Sequence, residues 1–277
     1  MAVALVLVSI VVGSVLFHFL SPWWWTPIAS NWDYIDHTII ITFWITGVVF
    51  SAVVLFMAYC VFRFRHKEGN RAAYEPENKR LESWLTIVTA VGVTALLVPG
   101  LFVWSRFVHV PSDATEIEVV AQQWQWSFRL PGKDGRMGTT DVRFISPENP
   151  LGLNRDDPNG QDDVVIESGE LHLPIGKPVK VLLRSVDVLH DFYVPEFRSK
   201  MDMVPGMVTY FWMTPIRTGT FDVLCAELCG AAHAQMRAKV IVEEESEYHA
   251  WLEQQKTFAE LSGRSSVTKA TYKSGGK

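Results

Sequence analysis

The stretch Cys225-Ala-Glu-Leu-Cys229-Gly-Ala-Ala-His233-Ala-Gln-Met236 brings two thiols, an imidazole and a thioether into one short segment, and it uses two of the three cysteines in the chain. These groups are soft to borderline ligands that suit copper, whereas magnesium and calcium prefer oxygen. A further histidine lies upstream in Asp187-Val-Leu-His190-Asp-Phe-Tyr-Val-Pro195, whose strand-like residues could carry it across a sheet to the cluster. The sequence therefore predicts a copper site for electron transfer, held by β-strands.

The number of donors argues for two metal ions. A blue-copper centre uses one Cys, two His and a weak axial Met, and this chain has a second Cys. If both sulfurs bridge two coppers, each copper gains one histidine, and the weak outer ligands are the Met236 thioether and a backbone carbonyl within residues 225–229. A disulfide between Cys225 and Cys229 remains the alternative outside the cytoplasm.

The ligand segment resembles the C-x-E-x-C-G-x-x-H-x-x-M motif of cytochrome c oxidase subunit II, which carries the dinuclear CuA centre. The upstream string D-V-L-H-D-F-Y-V-P-E-F, followed by K-M-D-M-V-P-G, is similar to that family's second signature. The resemblance implies side-chain copper ligands at His190, Cys225, Cys229, His233 and Met236. It also implies that Glu227 gives its backbone carbonyl to copper and its carboxylate to a magnesium ion at the interface with subunit I.

Two apolar runs, residues 37–62 and 85–108, have about the 20 residues that a membrane-spanning helix needs. The segment between them, Arg63-Phe-Arg65-His-Lys67-Glu-Gly-Asn-Arg71, is a basic loop of the kind retained in the cytoplasm. We therefore expect a helical hairpin in the lipid bilayer of a bacterial inner membrane. The polar domain after it then lies on the periplasmic face.

Residues 2–20 form another apolar stretch, which lacks the positively charged start that a signal peptide usually has. We favour a third membrane helix over a cleaved signal here.

Glu82 stands at the cytoplasmic end of the second hairpin helix. On its own it is an acid in a first turn, which favours a helix amino terminus. In oxidase subunits that resemble this chain, an L-E-x-x-W pattern places a Glu near the entrance of a proton path into subunit I. This chain reads L-E-S-W, one residue shorter.

After residue 113 the sequence changes to short runs of Val, Ile, Phe and Trp separated by Pro, Gly, Asp and Asn, which indicates a β-sandwich or barrel. The predicted strands are residues 116–121, 124–129, 142–145, 171–174, 179–185, 208–213, 219–223 and 238–243. The family resemblance implies a cupredoxin-like fold. The predicted organisation is an apolar segment and outer loop (1–36), the transmembrane hairpin (37–108), the CuA domain (109–246), and a short helix with a disordered tail (247–277).

Period two places Trp124, Trp126 and Phe128 on one strand face, a pattern typical of a core. The segment also resembles the family's W-x-W segment, which implies that Trp124 accepts electrons from cytochrome c. The acidic segment, residues 154–163, is predicted to be a solvated loop. If it flanked the copper site, its field would attract a basic carrier.

These features predict an electron-transfer subunit that passes single electrons from cytochrome c to haem in subunit I, where other subunits of a haem-copper oxidase reduce oxygen. No C-x-x-C-H haem attachment signature occurs, so electrons must come from another protein, and we expect no nucleic-acid partner. A CuA subunit of a nitric oxide reductase would share every ligand. A membrane-tethered copper chaperone would instead predict a thioredoxin-like alternation of helices and strands.

Overall fold

The computed structural model describes residues 1–21, 26–69, 71, 74 and 76–263, so the predicted disordered tail beyond residue 263 lies outside the described residues. The chain divides into two compact units. One comprises Met1–Thr26 and Asp33–Ser105, and the other Pro27–Trp32 and Arg106–Lys277. We call them the helical unit and the β unit.

The three long helices are α1 (Ala2–Leu20), α2 (Asp33–Arg63) and α3 (Lys79–Val108), and all but the last three residues of α3 belong to the helical unit. Each is long and apolar enough to cross a membrane. The 31 residues of α2 extend about 46 Å, more than the roughly 30 Å of a bilayer core. Their apolar side chains are largely exposed in the isolated chain, so these helices have no core of the kind that a water-soluble bundle needs.

Polar groups within the long helices are satisfied locally. Thr38, Thr42 and Thr46 each donate a hydroxyl hydrogen bond of 2.7–2.8 Å to the carbonyl four residues earlier. Internal pairing of this kind lets a helix carry hydroxyls through lipid without unsatisfied donors.

The predicted helices are confirmed, although α2 and α3 begin earlier than the apolar runs indicate. At α3, the Asn78 side-chain oxygen accepts a hydrogen bond from the Leu81 backbone N–H at 3.0 Å. This polar cap starts the helix before the apolar stretch begins.

The β unit is a sandwich of two five-stranded sheets among the described residues. The strands are β1 (Thr115–Gln122), β2 (Gln125–Leu130), β3 (Val164–Ile166), β4 (Glu170–Pro174), β5 (Val179–Ser185), β6 (His190–Val194), β7 (Ser199–Met203), β8 (Thr209–Met213), β9 (Gly219–Cys225) and β10 (Arg237–Glu243). One sheet has the order β3-β2-β1-β5-β8 and the other β4-β10-β9-β6-β7. The pairs β1–β5 and β4–β10 are parallel, and the remaining neighbours are antiparallel.

Aromatic side chains from both sheets fill the space between them. The Phe192 ring on β6 lies 5.5 Å from Trp126 on β2 and 6.1 Å from Phe211 on β8, measured between ring centroids. All three side chains are buried. This core fixes β6, which begins at the candidate ligand His190.

The segment Pro27–Trp32 belongs to the β unit. The sequence alone had placed this segment in an outer loop. Trp32 is buried, and its indole N–H donates to the Trp212 carbonyl at 2.9 Å. Ser30 donates its hydroxyl to the Phe197 carbonyl at 2.7 Å.

A buried ion network joins β1, β2 and the segment before β3. Arg129 lies 2.8 Å from both the Glu118 and the Asp163 carboxylates, and all three side chains are at most 5% exposed. Burial raises the pKa of Asp163 to about 6, although Arg129 pulls it down. The expectation that residues 154–163 are simply a solvated loop is therefore wrong at Asp163, because this carboxylate pairs with Arg129 on β2.

Most predicted strands are confirmed to within about two residues. The strand predicted at residues 142–145 is wrong, since Val142–Phe144 forms a 3-10 turn. The Asp141 side chain accepts from the Arg143 backbone N–H at 2.8 Å, and this local bond replaces sheet pairing. Sequence reasoning missed β3 and β7, whereas the strand-like residues after Asp187 are confirmed as β6.

After β10 the chain forms α4 (Glu245–Leu252) and α5 (Phe258–Leu261), each with a capping box at its start. The short helix predicted after residue 246 is confirmed as α4. Phe258 packs with Val120, Leu151 and Leu153 in a small cluster outside the main core.

Candidate metal centre

Two adjacent strands and one loop position the candidate ligands. His190 opens β6, Cys225 closes the neighbouring β9, and the loop from Cys229 to Met236 returns to β10. The Ala226 backbone N–H donates to the Asp191 carbonyl at 3.1 Å, which ties the start of the loop to β6. His190, Cys225, Cys229 and Met236 are all buried, so the site is held by the sheet and shielded from water.

In the structure the predicted ligand atoms lie close together, each beside at least one other. Cys225 Sγ lies 3.8 Å from Cys229 Sγ, 3.8 Å from His190 Nδ1 and 3.2 Å from the Glu227 carbonyl oxygen. Cys229 Sγ lies 3.5 Å from His233 Nδ1 and 3.8 Å from Met236 Sδ. Each sulfur therefore has its own histidine nitrogen and its own weaker donor.

The two thiols are free in this structure. Their separation of 3.8 Å is far beyond the roughly 2.05 Å of a disulfide bond. The disulfide between Cys225 and Cys229, which the sequence left open, is therefore not formed in this structure.

The donor set fits two soft metal ions better than one. Two thiolates, two imidazoles, a thioether and a carbonyl exceed the four ligands of a usual small-ion site. Each cysteine sulfur has one histidine nitrogen and one weak donor, a carbonyl or a thioether, beside it. Burial raises the pKa of the Cys229 thiol to about 11, and the neighbouring Cys225 adds to this effect. Metal binding must therefore release protons from the metal-free site.

Asp187 fixes the orientation of His190. The Nε2 atom of His190 lies 2.9 Å from Asp187 Oδ1, so the ring donates there and keeps the Nδ1 lone pair facing Cys225. Burial pushes the pKa of Asp187 up, but the hydrogen bonds from Gln123, His190 and Val188 outweigh it and leave the pKa below its usual value. Sequence reasoning missed this role of Asp187 in orienting His190.

Trp124 lies against the ligand loop rather than in the core. Strand β2 begins at Gln125, and the Trp124 side chain is 41% exposed, whereas Trp126 and Phe128 are buried. The prediction that all three share one strand face is therefore wrong at Trp124, which lies in the β1–β2 turn.

Gly230 permits this contact. A Cβ atom at Gly230 would lie 3.1 Å from Trp124 Cζ2 and 3.0 Å from Gln123 Nε2, and its φ of +123° disfavours other residues. Gln123 Nε2 also donates to the Cys229 carbonyl at 2.8 Å. Sequence reasoning missed Gln123 and Gly230 as positioning residues, although a glycine directly after a ligand cysteine was an available signal.

Two predicted carboxylates, those of Glu227 and Glu82, are not part of the ligand cluster. Glu227 is partly exposed, and the cluster of metal-binding side chains found among the described residues is His190, Cys225 and Cys229 without its carboxylate. Glu82 lies in the first turn of α3 in the helical unit, where its Oε1 accepts from the Asn78 N–H at 3.4 Å. This contact is the first-turn role that the sequence alone predicts for Glu82.

Comparisons with known proteins match both the β unit and the chain as a whole. The family model for the periplasmic domain of cytochrome c oxidase subunit II matches residues 115–244. The chain is 80% identical over 275 residues to an alternative cytochrome c oxidase subunit 2 of Bradyrhizobium diazoefficiens, covering 99% of both chains. It is 30% identical over 237 residues to cytochrome c oxidase subunit 2 of Cereibacter sphaeroides, covering 83% of this chain and 77% of the relative.

Among solved structures, the periplasmic domain of subunit II of cytochrome oxidase of Bradyrhizobium japonicum matches with 28% identity and a TM-score of 0.39. The match covers 52% of this chain and 95% of that domain. On the strength of the sequence relatives, which match over most of its length, the chain belongs to the cytochrome c oxidase subunit II family.

Proposed function

We propose that the β unit holds a dinuclear copper centre and serves as the electron-entry site of a haem-copper oxidase. The proposed side-chain ligands are His190, Cys225, Cys229, His233 and Met236, with the backbone carbonyl of Glu227. The observation that carries this proposal is the pair of thiols 3.8 Å apart, each with its own histidine nitrogen within 3.8 Å.

Copper bound there would supply one-electron redox chemistry. The chain's own contribution is to hold the donors still. Both cysteines and Met236 are buried, and Cys225 and His190 lie on hydrogen-bonded strands, so the ligands have little freedom to rearrange when the charge of the site changes. A site that keeps its shape in both oxidation states transfers electrons without waiting for the protein to move.

Electrons enter through Trp124 in this proposal, with cytochrome c as the donor. The support is the position of the partly exposed Trp124 indole against Gly230, beside the hydrogen bond from Gln123 to the Cys229 carbonyl. Electrons then leave toward haem in subunit I, where oxygen is reduced. Glu227 would contribute a carboxylate to a magnesium ion at that interface.

We place the three long helices across a bacterial inner membrane, with the β unit on the periplasmic side. The length and apolar composition of these helices support the membrane assignment. The basic residues at and just after the end of α2, including Arg63, Arg65 and Lys67, support a cytoplasmic position for the α2–α3 connection. Glu82, at the start of α3, then lies near the cytoplasmic surface, where an acid could receive protons.

The copper-chaperone alternative does not fit the fold. It predicts alternating helices and strands, whereas residues 115–243 form two β-sheets with histidine ligands on both sides of the cysteines. The nitric oxide reductase alternative shares every ligand, and gas uptake by the purified complex separates it from an oxidase.

The test is metal analysis and electron paramagnetic resonance of the purified full-length chain loaded with copper. Two coppers that share one unpaired electron would support the proposal. One copper per chain, or a Cys225–Cys229 disulfide in an active complex, would overturn it. Oxygen uptake driven by reduced cytochrome c then tests the activity of the assembled complex.

A further inference from the structure

A cavity of about 400 Å³ lies at the end of the β unit opposite the ligand loop. Strands β1 and β5 begin beside it at the register pair Thr115 and Val179, and both run from there toward the ligand loop. Strand β1 is eight residues long, which is roughly 25 Å, so the cavity is far from the candidate copper ligands. Its volume falls within the roughly 300–1,000 Å³ of small-ligand pockets.

The buried part of the cavity lining is apolar. Ile117 on β1 and Val179 on β5 come from one sheet, and Leu173 on β4 comes from the other, so the cavity is an opening between the two sheets. Pro174 and Pro178 also line it, and a proline has no backbone N–H to donate. A polar ligand must therefore be recognised by the side chains at the mouth of the cavity.

Exposed side chains of both charges surround this mouth. Helix α4 contributes Glu245 and His249, and the turn before β5 contributes Lys177. Glu245 Oε1 lies 3.2 Å from Lys177 Nζ and 3.9 Å from His249 Nε2. The Asp113 carboxylate also lines the mouth, and it makes no hydrogen bond or ion pair with any residue that the structure describes. The mouth therefore combines an ion pair with a carboxylate that has no protein partner within the described part of the chain.

Asp113 and Lys177 lie on neighbouring segments. Each precedes the register pair Thr115–Val179 by two residues, and the Thr115 backbone N–H donates to the Pro178 carbonyl at 3.0 Å. A negative and a positive side chain thus lie on adjacent segments of the same rim. A ligand that carries one charge of each sign would match this pattern, because each of its charges finds an opposite charge on the protein.

The cavity is also close in the chain to a long apolar helix. Helix α3 ends at Val108, and Asp113 follows five residues later, which is at most about 18 Å for an extended chain. The end of α3 is held to the β unit, since the Trp212 indole N–H donates to the Arg106 carbonyl at 3.1 Å. If α3 spans the bilayer, the mouth of the cavity is within reach of lipid headgroups.

From this arrangement we propose that the cavity binds the zwitterionic headgroup of an aminophospholipid from the periplasmic leaflet, such as phosphatidylethanolamine. Its primary ammonium group has three N–H donors for the carboxylates of Asp113 and Glu245, and its phosphate accepts from the Lys177 ammonium. An anionic headgroup without an amine would bring its charge toward two carboxylates and one lysine. This inference rests on the proposed membrane placement of the chain.

The test uses the purified complex that contains the full chain, and a phosphatidylethanolamine with a photoreactive group next to its phosphate. Illumination attaches the lipid to nearby residues, and mass spectrometry of the digested protein locates it. We expect labelling within residues 111–117, 173–179 or 245–249. Unlabelled phosphatidylethanolamine should compete about two- to fivefold better than phosphatidylglycerol with the same acyl chains, as expected for exposed ionic contacts. Equal competition by the two lipids would overturn the proposal.

Charge substitutions identify the contacts. Asp113→Asn and Lys177→Gln should each reduce labelling about two- to fivefold. The matched controls are Glu116→Gln and Lys180→Gln, which remove an ion pair of 2.7 Å on the same two strands but outside the cavity lining. These controls should label as the parent chain does. If they reduce labelling as much as the cavity variants, the lipid responds to general surface charge and the proposal is wrong.

A larger side chain at the mouth provides a second, independent test. Thr115 is exposed and lines the cavity, so Thr115→Trp should fill the space and reduce labelling more than about tenfold. Copper content and the paramagnetic spectrum should stay unchanged, because the ligand loop is at the other end of β1. Unchanged labelling of a folded Thr115→Trp variant contradicts the proposal. If this variant loses copper, the charge variants decide.

Two further measurements separate the sources of failure. Glycerophosphoethanolamine has the same headgroup without acyl chains, and it should compete only at much higher concentration than the lipid. Equal competition would mean that the ligand is a soluble phosphate ester, and the lipid assignment would be wrong. A chain that leaves membranes without detergent would refute the proposed membrane placement and this inference with it. A chain that needs detergent but shows no label at the cavity removes only this inference.

Discussion

Replacement of Asp187 by Asn should weaken copper binding although Asp187 is not a ligand. The Asp187 carboxylate accepts the His190 Nε2–H at 2.9 Å and so leaves Nδ1 free to bind metal 3.8 Å from Cys225 Sγ. An Asn side chain has the same shape, but it can present its N–H₂ group to the ring. His190 then gains by moving its proton to Nδ1, which removes the lone pair that the metal needs.

The expected loss of copper affinity follows from the hydrogen bond that is lost. A hydrogen bond to a charged group contributes about 1.5–3 kcal/mol, and loss of such a partner typically lowers metal affinity about 10–100-fold. A factor of 10–100 equals about 1.4–2.7 kcal/mol, so the two figures agree. We therefore expect Asp187→Asn to raise the copper dissociation constant by about 10–100-fold.

Competition with a copper chelator, applied to the purified full-length chain, measures this change. Asp222→Asn is the matched control, because Asp222 is an exposed acid on β9, the strand that leads to Cys225. It should bind copper as the parent chain does. An Asp187→Asn variant with unchanged affinity and an unchanged paramagnetic spectrum would refute the role of Asp187 in orienting His190.

Four further substitutions have distinct expected results. Cys229→Ser should remove the dinuclear centre, which metal analysis would show as at most one copper per chain. Met236→Leu keeps the volume of this buried side chain, so we expect both coppers to stay bound with an altered reduction potential, measured by redox titration. Gly230→Ala should cost about 1–3 kcal/mol of strain and displace Trp124, which rapid-mixing kinetics would detect as slower electron entry at full copper content. Arg129→Met leaves two carboxylates buried without a partner and should cost about 3–5 kcal/mol, or roughly 10 °C in a calorimetric melt of the β unit, whereas Arg143→Met at an exposed ion pair should change little.

The predictable part of this molecule is the part encoded by local pattern. The apolar runs gave the three long helices, because length and absence of charge are sufficient signals for a membrane-spanning segment. Alternating apolar residues located strands such as β5, whose observed limits Val179–Ser185 equal the predicted ones. The donor types and their spacing indicated the ligand cluster, since soft ligands rarely gather for packing reasons.

The features that the sequence did not predict depend on contacts between residues that are far apart in the chain. Strand β7, Ser199–Met203, contains Lys and Asp and resembles a loop, but pairing with β6 makes it a strand. Asp163 resembles its solvated neighbours, and only the fold brings Arg129 to it. The 3-10 turn at Val142–Phe144 forms because the Asp141 side chain accepts a hydrogen bond from the backbone. The pattern of hydrophobic residues does not indicate such a bond.

The position of Asp187 links the two halves of the electron path. One oxygen of its carboxylate accepts from the His190 ring at 2.9 Å, and the other accepts from the Gln123 backbone N–H at 2.6 Å. Gln123 directly precedes Trp124, and its side chain binds the Cys229 carbonyl at 2.8 Å. A change that moves Asp187 must therefore disturb a proposed copper ligand and the proposed entry residue together. For this reason we expect Asp187→Asn to slow electron entry more than its loss of copper explains, whereas Met236→Leu, which touches only Cys229 among these groups, should change the potential without that added loss.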